Sequence, residues 1–204
     1  MRLKRPDSPN FIIFNFPSLY TVLALLLLST STLAQSVTVA PESVVVYSAS
    51  DDSNSWEGRA PVESVVLSLN PDDVRSSSLT VTLEPDEFDS GNLIRDTNAR
   101  RTVFETGEYP EITFTAENVA AEGNSLADGE QKEVTLRGDL TMHGVTREVR
   151  IPASVSRDGN TLKATGEFAV LLSDYEMTQP SFFGNTVNDE VTLSFDITLT
   201  LADL

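Results

Sequence analysis

Residues 134–155 constrain the fold most, because they alternate apolar and polar side chains on both sides of His143 and Gly144. A period of two is typical of strands that bury one face. A two-residue loop requires positive φ, which Gly adopts freely and His tolerates better than most residues. In the register that this loop sets, Met142 pairs with Val145, and apolar residues of one strand lie opposite apolar residues of the other. A slip by one residue would turn one apolar face to water, so the sequence predicts a long antiparallel hairpin in this register.

The same alternation recurs along much of the chain between turn-forming segments such as residues 70–73 and 157–160. It is clearest in residues 191–201, where every odd position is apolar. About eight strands, one helix and no alternation of strands with helices indicate an all-β fold, an antiparallel barrel or sandwich. An eight-stranded closed barrel has room for one narrow ligand.

Residues 84–104 interrupt the strand pattern, and the sequence predicts one short helix there. Asp89 or Ser90 is a plausible N-cap, and Asp96 and Arg100 have the spacing of a helical ion pair. One side of this helix would carry Leu93, Thr97, Arg100 and Phe104.

The N-terminal segment has the composition of an export signal. Basic residues at positions 2, 4 and 5 precede an apolar core at 19–28, and Thr32 and Ala34 suit cleavage before Gln35. We therefore expect a signal peptide over residues 1–34 and one domain over residues 35–204, in the periplasm or secreted. An uncleaved membrane anchor is the alternative, because the charge-free span is long enough to cross a bilayer.

The charge and residue content exclude several classes of function. The formal net charge is -17, which disfavours nucleic acid and anionic membrane surfaces as partners. His143 is the only histidine and there is no cysteine, so a nucleophilic triad or a zinc site lacks its usual residues. Acidic residues at positions 84, 86, 87 and 89 match no EF-hand spacing, and no carboxylate pair stands out for glycoside hydrolysis. We expect no enzyme activity, no metal and no cofactor. His143 fits a hairpin tip, where its ring could cap a neighbouring loop.

Several motifs occur together in a characteristic order. They are Gly138-Asp139-Leu140-Thr141-Met142-His143-Gly144-Val145-Thr146, and upstream Asp89-Ser90-Gly91-Asn92, Arg95-Asp96, Phe104, Tyr109-Pro110 and Ile112-Thr113-Phe114. Together they resemble the YceI-like, lipid/polyisoprenoid-binding family. Residues 171–176 depart from its pattern, since they keep Ser-Asp-Tyr but lack the expected Arg and Gly.

The resemblance implies an exported, lipocalin-like antiparallel β-barrel that holds a long isoprenoid chain, such as a polyprenyl lipid or a quinone. The expected ligand-binding residues are Ile112, Phe114, Leu140, Met142, Phe168, Val170, Phe195, Ile197, Leu199 and Arg95. Arg95 has two interpretations: a partner for a polar or phosphorylated head group, or, with Asp96, a clip that holds the helix across the barrel mouth.

An alternative function remains open at this point, because a packed core and a ligand tunnel have the same sequence pattern. In that case the protein would be a ligand-free structural or interaction module of the cell envelope. If the interior is instead a ligand tunnel, the expected partner is a hydrophobic isoprenoid-like lipid, with transient contact to a membrane or to envelope proteins.

Overall fold

The structure is a computed structural model that describes residues 36–182 and 184–202. The predicted signal peptide lies outside these residues. The strands, in chain order, are β1 Val37–Val39, β2 Val44–Ser50, β3 Ser55–Pro61, β4 Ser64–Ser68, β5 Ser78–Leu83, β6 Ile112–Ala121, β7 Gln131–Met142, β8 Val145–Asp158, β9 Thr161–Leu171, β10 Ser181–Phe182, β11 Asn185–Thr186 and β12 Glu190–Leu201.

Nine strands form one curled antiparallel path in the order β3-β2-β12-β9-β8-β7-β6-β5-β4. β1 pairs with β12 beyond the segment of β12 that pairs with β2, and it also contacts β4. In this way β1 connects strands from distant parts of the path. The all-β, lipocalin-like antiparallel barrel with one short helix is confirmed. The main sheet has ten strands rather than about eight.

The predicted central hairpin is confirmed in its exact register. Met142 pairs with Val145 and Leu136 with Ile151, and His143 and Gly144 have φ of 50° and 73°. Alternate residues of β7 are buried, so this hairpin contributes one apolar face to the interior. The sequence pattern was sufficient here because both the loop and the burial pattern specify the same pairing.

Leu140 of β7 lies opposite Arg147 of β8, in a part of β8 that does not pair with β9. β8 pairs with β9 only over residues 153–158, after Pro152, which has no N–H to donate. Arg147 lies on the separated segment, where it is exposed and donates from Nε to the carbonyl oxygen of Asp174 at 2.9 Å. The separation of the strands thus accommodates a charged residue opposite an apolar one.

The register of the strands determines which connections share an end of the barrel. Residues 51–54, 84–111, 143–144 and 172–189 lie at one end, which we call the mouth end. Residues 69–77, 122–130 and 159–160 lie at the other, which we call the far end. The helix α1, Leu93–Asn98, is therefore at the mouth end, and a π-helical turn, Ala99–Val103, follows it. No helix among the described residues is long and apolar enough to cross a membrane.

Candidate functional site

Three adjacent cavities run through the barrel interior. The mouth cavity and the far cavity each have a volume of about 100 Å³, and the middle cavity has about 120 Å³. The mouth and middle cavities share Val45 and Ile112 in their walls, and the middle and far cavities share Leu136 and Ala164. The walls are almost entirely apolar, so the barrel contains a row of oily spaces that its own side chains leave open.

All the residues expected to bind a ligand lie on these cavity walls. Arg95, Ile112, Met142 and Val170 line the mouth cavity; Ile112, Phe114, Leu140, Phe168, Phe195, Ile197 and Leu199 line the middle one; Ile197 and Leu199 also line the far one. Their role in binding stays a prediction. Alternation brings them together because every second residue of each strand faces the interior.

An aromatic cluster at the mouth cavity was not among the expected site residues. The rings of Phe88 and Phe104 stack with centroids 5.6 Å apart, and Tyr47 meets Phe88 edge-on at 5.2 Å. Trp56, the only tryptophan, also lines this cavity. Phe88 lies in an irregular connection where no alternation identifies its orientation, so only the structure reveals it.

The helix α1 begins differently from the sequence prediction. Asn92 is the N-cap, and its side-chain oxygen accepts hydrogen bonds from the backbone N–H of Ile94 and Arg95, each at 3.1 Å. The predicted cap at Asp89 or Ser90 is wrong, because both residues precede the N-cap and the backbone of Asp89 pairs with that of Arg59. Asp89 instead accepts from the N–H of Gly91 at 2.7 Å.

The predicted Asp96–Arg100 ion pair is also wrong. Asp96 is only 6% exposed, and its Oδ1 accepts from both the N–H and the hydroxyl of Ser90. Arg100 instead faces Asp86, with Nε and Oδ1 3.7 Å apart. The prediction that Leu93 and Phe104 share one side of the helix is wrong as well, because Leu93 is 76% exposed while Phe104 packs on the core.

Arg95 holds the start of α1 across the mouth. It donates from Nε to the hydroxyl of Ser90 at 2.8 Å and from Nη2 to the Ser90 carbonyl at 2.9 Å. Its guanidinium lies 5.3 Å from the ring centroid of Trp56, a cation–π contact. Two of its donor nitrogens are thus engaged by the protein, which is the geometry of the clip interpretation.

Tyr47 brings a polar group to this apolar surface. Burial, and then the nearby carboxylate of Asp96, raise the pKa of its phenol. The phenol is therefore neutral at physiological pH, and it lies beside the cavity with Ser90 and Trp56 as polar neighbours.

His143 joins three connections at the mouth end. Its Nε2 lies 2.6 Å from Oε2 of Glu105 and its Nδ1 lies 3.2 Å from the carbonyl oxygen of Tyr175. Its ring also contacts that of Tyr109, with centroids 4.3 Å apart. The expected contact with a neighbouring loop is thus present.

The acidic residues of the mouth connection do not form an evident cation site. Asp86 faces Arg100 and accepts from the hydroxyl of Thr106 at 3.1 Å. Within residues 36–182 and 184–202, no three His, Asp or Glu side chains converge closely enough to hold a metal ion together.

Comparison with known proteins gives the same family from sequence. Residues 37–199 match the family model described as YceI-like domain. A UPF0312 protein of Vibrio parahaemolyticus is 31% identical over 105 residues, which are 51% of this chain and 52% of that protein. Protein YceI of Escherichia coli is 30% identical over 86 residues, 42% of this chain and 41% of that protein. The chain thus spans about half the length of the curated relatives that it matches.

Comparison with solved structures shows the same fold. BcnA of Burkholderia cenocepacia superposes with a TM-score of 0.67 at 23% identity, covering 79% of this chain and 99% of that one. A polyisoprenoid binding domain of Saccharophagus degradans, implicated in plant cell wall breakdown, superposes with a TM-score of 0.65 at 15% identity, covering 82% and 99%.

Proposed function

We propose that this chain, which belongs to the YceI-like domain family, binds an isoprenoid-type lipid in its barrel interior. The observation that carries the proposal is the row of three apolar cavities between the mouth end and the far end. An elongated oily molecule fits such a row, and a similar fold in Saccharophagus degradans is a polyisoprenoid binding domain.

Removal of hydrocarbon from water supplies the affinity. Each CH₂ group transferred to an apolar surface contributes about 0.8 kcal/mol, so a chain of several isoprene units needs no strong polar contact. Empty apolar cavities of this kind do not hold water well, so the ligand would displace little bound solvent. Specificity would come from cavity length and from the few polar groups at the mouth.

The mouth cavity would receive the polar end of the ligand. Tyr47 contributes a neutral hydroxyl there, and Trp56 and Phe88 contribute aromatic wall for a ring such as that of a quinone. Arg95 contributes first as the clip that holds α1, because Ser90 already accepts two of its hydrogen bonds. In this proposal the protein sequesters or carries lipid without catalysis. It is exported, with residues 1–34 as signal peptide and residues 35–204 as the binding domain.

Two measurements test the proposal. The purified protein is extracted with organic solvent and the extract is analysed by mass spectrometry, and a separate sample is tested for uptake of added polyprenol and ubiquinone. We expect a co-purifying or added lipid in stoichiometric amount. Repeated recovery of nothing, together with no uptake, would contradict the proposal and favour a ligand-free envelope module.

A matched pair of variants tests the location of the site. Ala164→Phe places a ring where the middle and far cavities meet, whereas Ala169→Phe adds the same ring to an exposed position on the same strand. We expect lipid uptake to fall at least tenfold in the first variant and to stay unchanged in the second, with both folded by circular dichroism. Equal uptake by both variants would place the lipid outside the barrel.

A further inference from the structure

Two neighbouring residues on α1 are the most exposed large apolar side chains of the described chain. Leu93 and Ile94 are each 76% exposed. The other two of this kind, Val66 at 55% and Leu171 at 38%, lie singly on separate strands. Single exposed apolar residues are normal on protein surfaces, but an adjacent pair exposed to this degree forms a small apolar tip.

The structure holds this tip outward through polar contacts. Asn92 accepts hydrogen bonds from the N–H groups of Ile94 and Arg95, and the buried Asp96 accepts from Ser90. The same Ser90 accepts from Arg95. The first turn of α1 is therefore fixed on both sides of the tip, and Leu93 cannot turn inward without breaking these bonds.

The opposite side of the same segment lines the mouth cavity. Ala99, Val103 and Phe104 belong to the cavity wall together with the Arg95 side chain. The apolar tip thus belongs to the same helical segment that contributes part of the wall of the mouth cavity.

The charge of this segment differs from that of the chain. Residues 93–103 contain Arg95, Arg100 and Arg101 and a single acidic residue, the buried Asp96, within a connection, residues 84–111, that is acidic overall like the chain with its net charge of -17. Arg101 is exposed and forms no ion pair among the described residues. Arg100 faces Asp86. Arg101 follows Ile94 by seven residues, about two helical turns along the same segment. An exposed apolar tip and a cation on one segment suit the interface of a lipid bilayer, where acyl chains and phosphate groups lie next to each other.

We propose that α1 docks the mouth of the barrel on a lipid bilayer, with Leu93 and Ile94 inserted among the acyl chains and Arg101 at the phosphates. This inference rests on the proposed function, because a protein that holds an isoprenoid must take it from a membrane or deliver it there. The contact is weak and reversible, since two side chains bury little area and the rest of the surface is acidic.

The absence of cysteine allows a local test on the whole chain. Ile94→Cys is labelled with an environment-sensitive fluorophore and mixed with vesicles of phosphatidylcholine containing some phosphatidylglycerol. The matched control is Val66→Cys with the same label, because Val66 is also exposed but lies on β4. We expect a blue shift at position 94 and none at position 66. Because both variants carry the same N-terminal segment, binding through that segment affects both equally.

A second substitution measures the contribution of the apolar pair. Leu93→Ser in the labelled Ile94→Cys chain should weaken the vesicle-dependent shift by about tenfold, since one large apolar side chain no longer inserts. Arg101→Gln should weaken it less and reduce its sensitivity to salt. A shift of equal size at positions 66 and 94, or none at 94, overturns the proposal. A shift that depends on protein concentration without vesicles also overturns it, and indicates a second copy of the chain as the occupant.

The two proposals fail in different ways. Leu93→Ser should take up ubiquinone from detergent micelles to the same extent as the original chain but acquire it from vesicles more slowly. Normal uptake from micelles without insertion at position 94 rejects bilayer docking and leaves lipid binding intact. Insertion at position 94 with no uptake from any source rejects lipid binding and leaves a membrane-docking tip.

Discussion

The two ends of the barrel are built in different ways. At the far end, backbone groups pair across the connections: the N–H of Val74 donates to Asn124 at 2.7 Å, and the N–H of Leu126 donates to Pro71 at 2.9 Å. At the mouth end the N–H of Asn188 likewise donates to the carbonyl oxygen of Ser50 at 2.8 Å, but the helix α1 and the hairpin loop are held by the side chains of Asn92, Arg95 and His143. Backbone pairing tolerates many sequences, whereas side-chain contacts depend on particular residues. The mouth end is therefore where this chain can differ in function from others with the same barrel.

The cavities show the same difference. The far cavity is lined mainly by aliphatic side chains, with Ser77, Ser78 and the stem of Lys132, whose Nζ lies 3.3 Å from Oε1 of Glu130. The backbone N–H of Ala127, and then Lys132, lower the pKa of Glu130. The mouth cavity has aromatic walls and the guanidinium of Arg95. The far end thus suits a featureless hydrocarbon tail and the mouth end suits a group with a ring or a hydroxyl.

The largest effect is expected in the wall that joins the two ends. A Cβ added at Gly138 would lie 2.1 Å from the carbonyl oxygen of Thr115, on the neighbouring strand, so Gly138→Ala should cost about 3 kcal/mol or more of unfolding free energy. Gly107→Ala is the control at the mouth end, where a Cβ meets nothing within 4 Å. Urea denaturation measures the free energy of unfolding of both variants, and equal values would contradict the close approach of β6 and β7 at Gly138.

The next effect should be confined to the mouth end. Asp96→Asn removes a buried charge that accepts hydrogen bonds from Ser90, and hydrogen bonds to charged groups contribute about 2 kcal/mol. Hydrogen exchange should become faster in residues 93–103 and stay unchanged in β7 and β9, because those strands have their own pairing. Faster exchange throughout the barrel would show that the mouth end is not a separate unit.

A smaller effect, a gain in stability rather than a loss, is expected from a substitution at Tyr175. Its ring is 2% exposed and its hydroxyl has no hydrogen-bond partner among the described residues. Tyr175→Phe should therefore stabilise the protein by about 1 kcal/mol, because an unpaired buried polar group is removed. Thermal unfolding at neutral pH measures this difference, and destabilisation would reveal a partner for the hydroxyl.

The same residue predicts a pH dependence. Burial raises the pKa of Tyr175 to about 12, whereas a tyrosine in the unfolded chain titrates near 10. Above a pH of about 10, Tyr175 ionises in the unfolded state but stays neutral in the folded state. The free energy of unfolding therefore falls as the pH rises, until the pH reaches the pKa of Tyr175 in the folded protein. The original chain should lose more stability in this window than Tyr175→Phe does. Parallel pH profiles of the two proteins would contradict the assignment.

The smallest effect concerns His143. His143→Asn keeps a residue that tolerates the positive φ of the hairpin loop but cannot reproduce both contacts, to Glu105 and to Tyr175. We expect a loss of about 0.5–1 kcal/mol, typical of a partly exposed polar pair. The free energy of unfolding and the rate of hydrogen exchange at residues 105–109 measure this loss. Faster exchange in β8 and β9 instead would show that His143 stabilises the strands rather than the mouth connections.

The sequence predicts the wall better than the mouth for a physical reason. Strand alternation is repeated many times, so one pattern specifies the register of β7 with β8 and the inward position of Phe114 or Leu199. The mouth contacts are made once each. Ser90, Asp96 and Arg95 meet because a turn brings them together, and no periodic pattern encodes that turn.

The interior volume also escapes a sequence pattern. Phe195 and Phe168 are partly buried on the inner face, as alternation predicts, yet space remains beside them. Whether side chains fill a barrel depends on its diameter and on the sum of their sizes, and both are properties of the closed sheet. The pattern gives the identity of the wall residues but not the distance across to the opposite wall.

The position of β1 has a practical consequence. The N–H of Ala202 donates to the carbonyl oxygen of Ser36 at 3.0 Å, and β1 pairs with the last residues of β12. Residues 36 and 202 therefore lie side by side at the far end, opposite α1. A protein immobilised on a sensor chip through either position would present the same side to the solution. The helix α1 would stay accessible to vesicles or detergent micelles flowing over the surface.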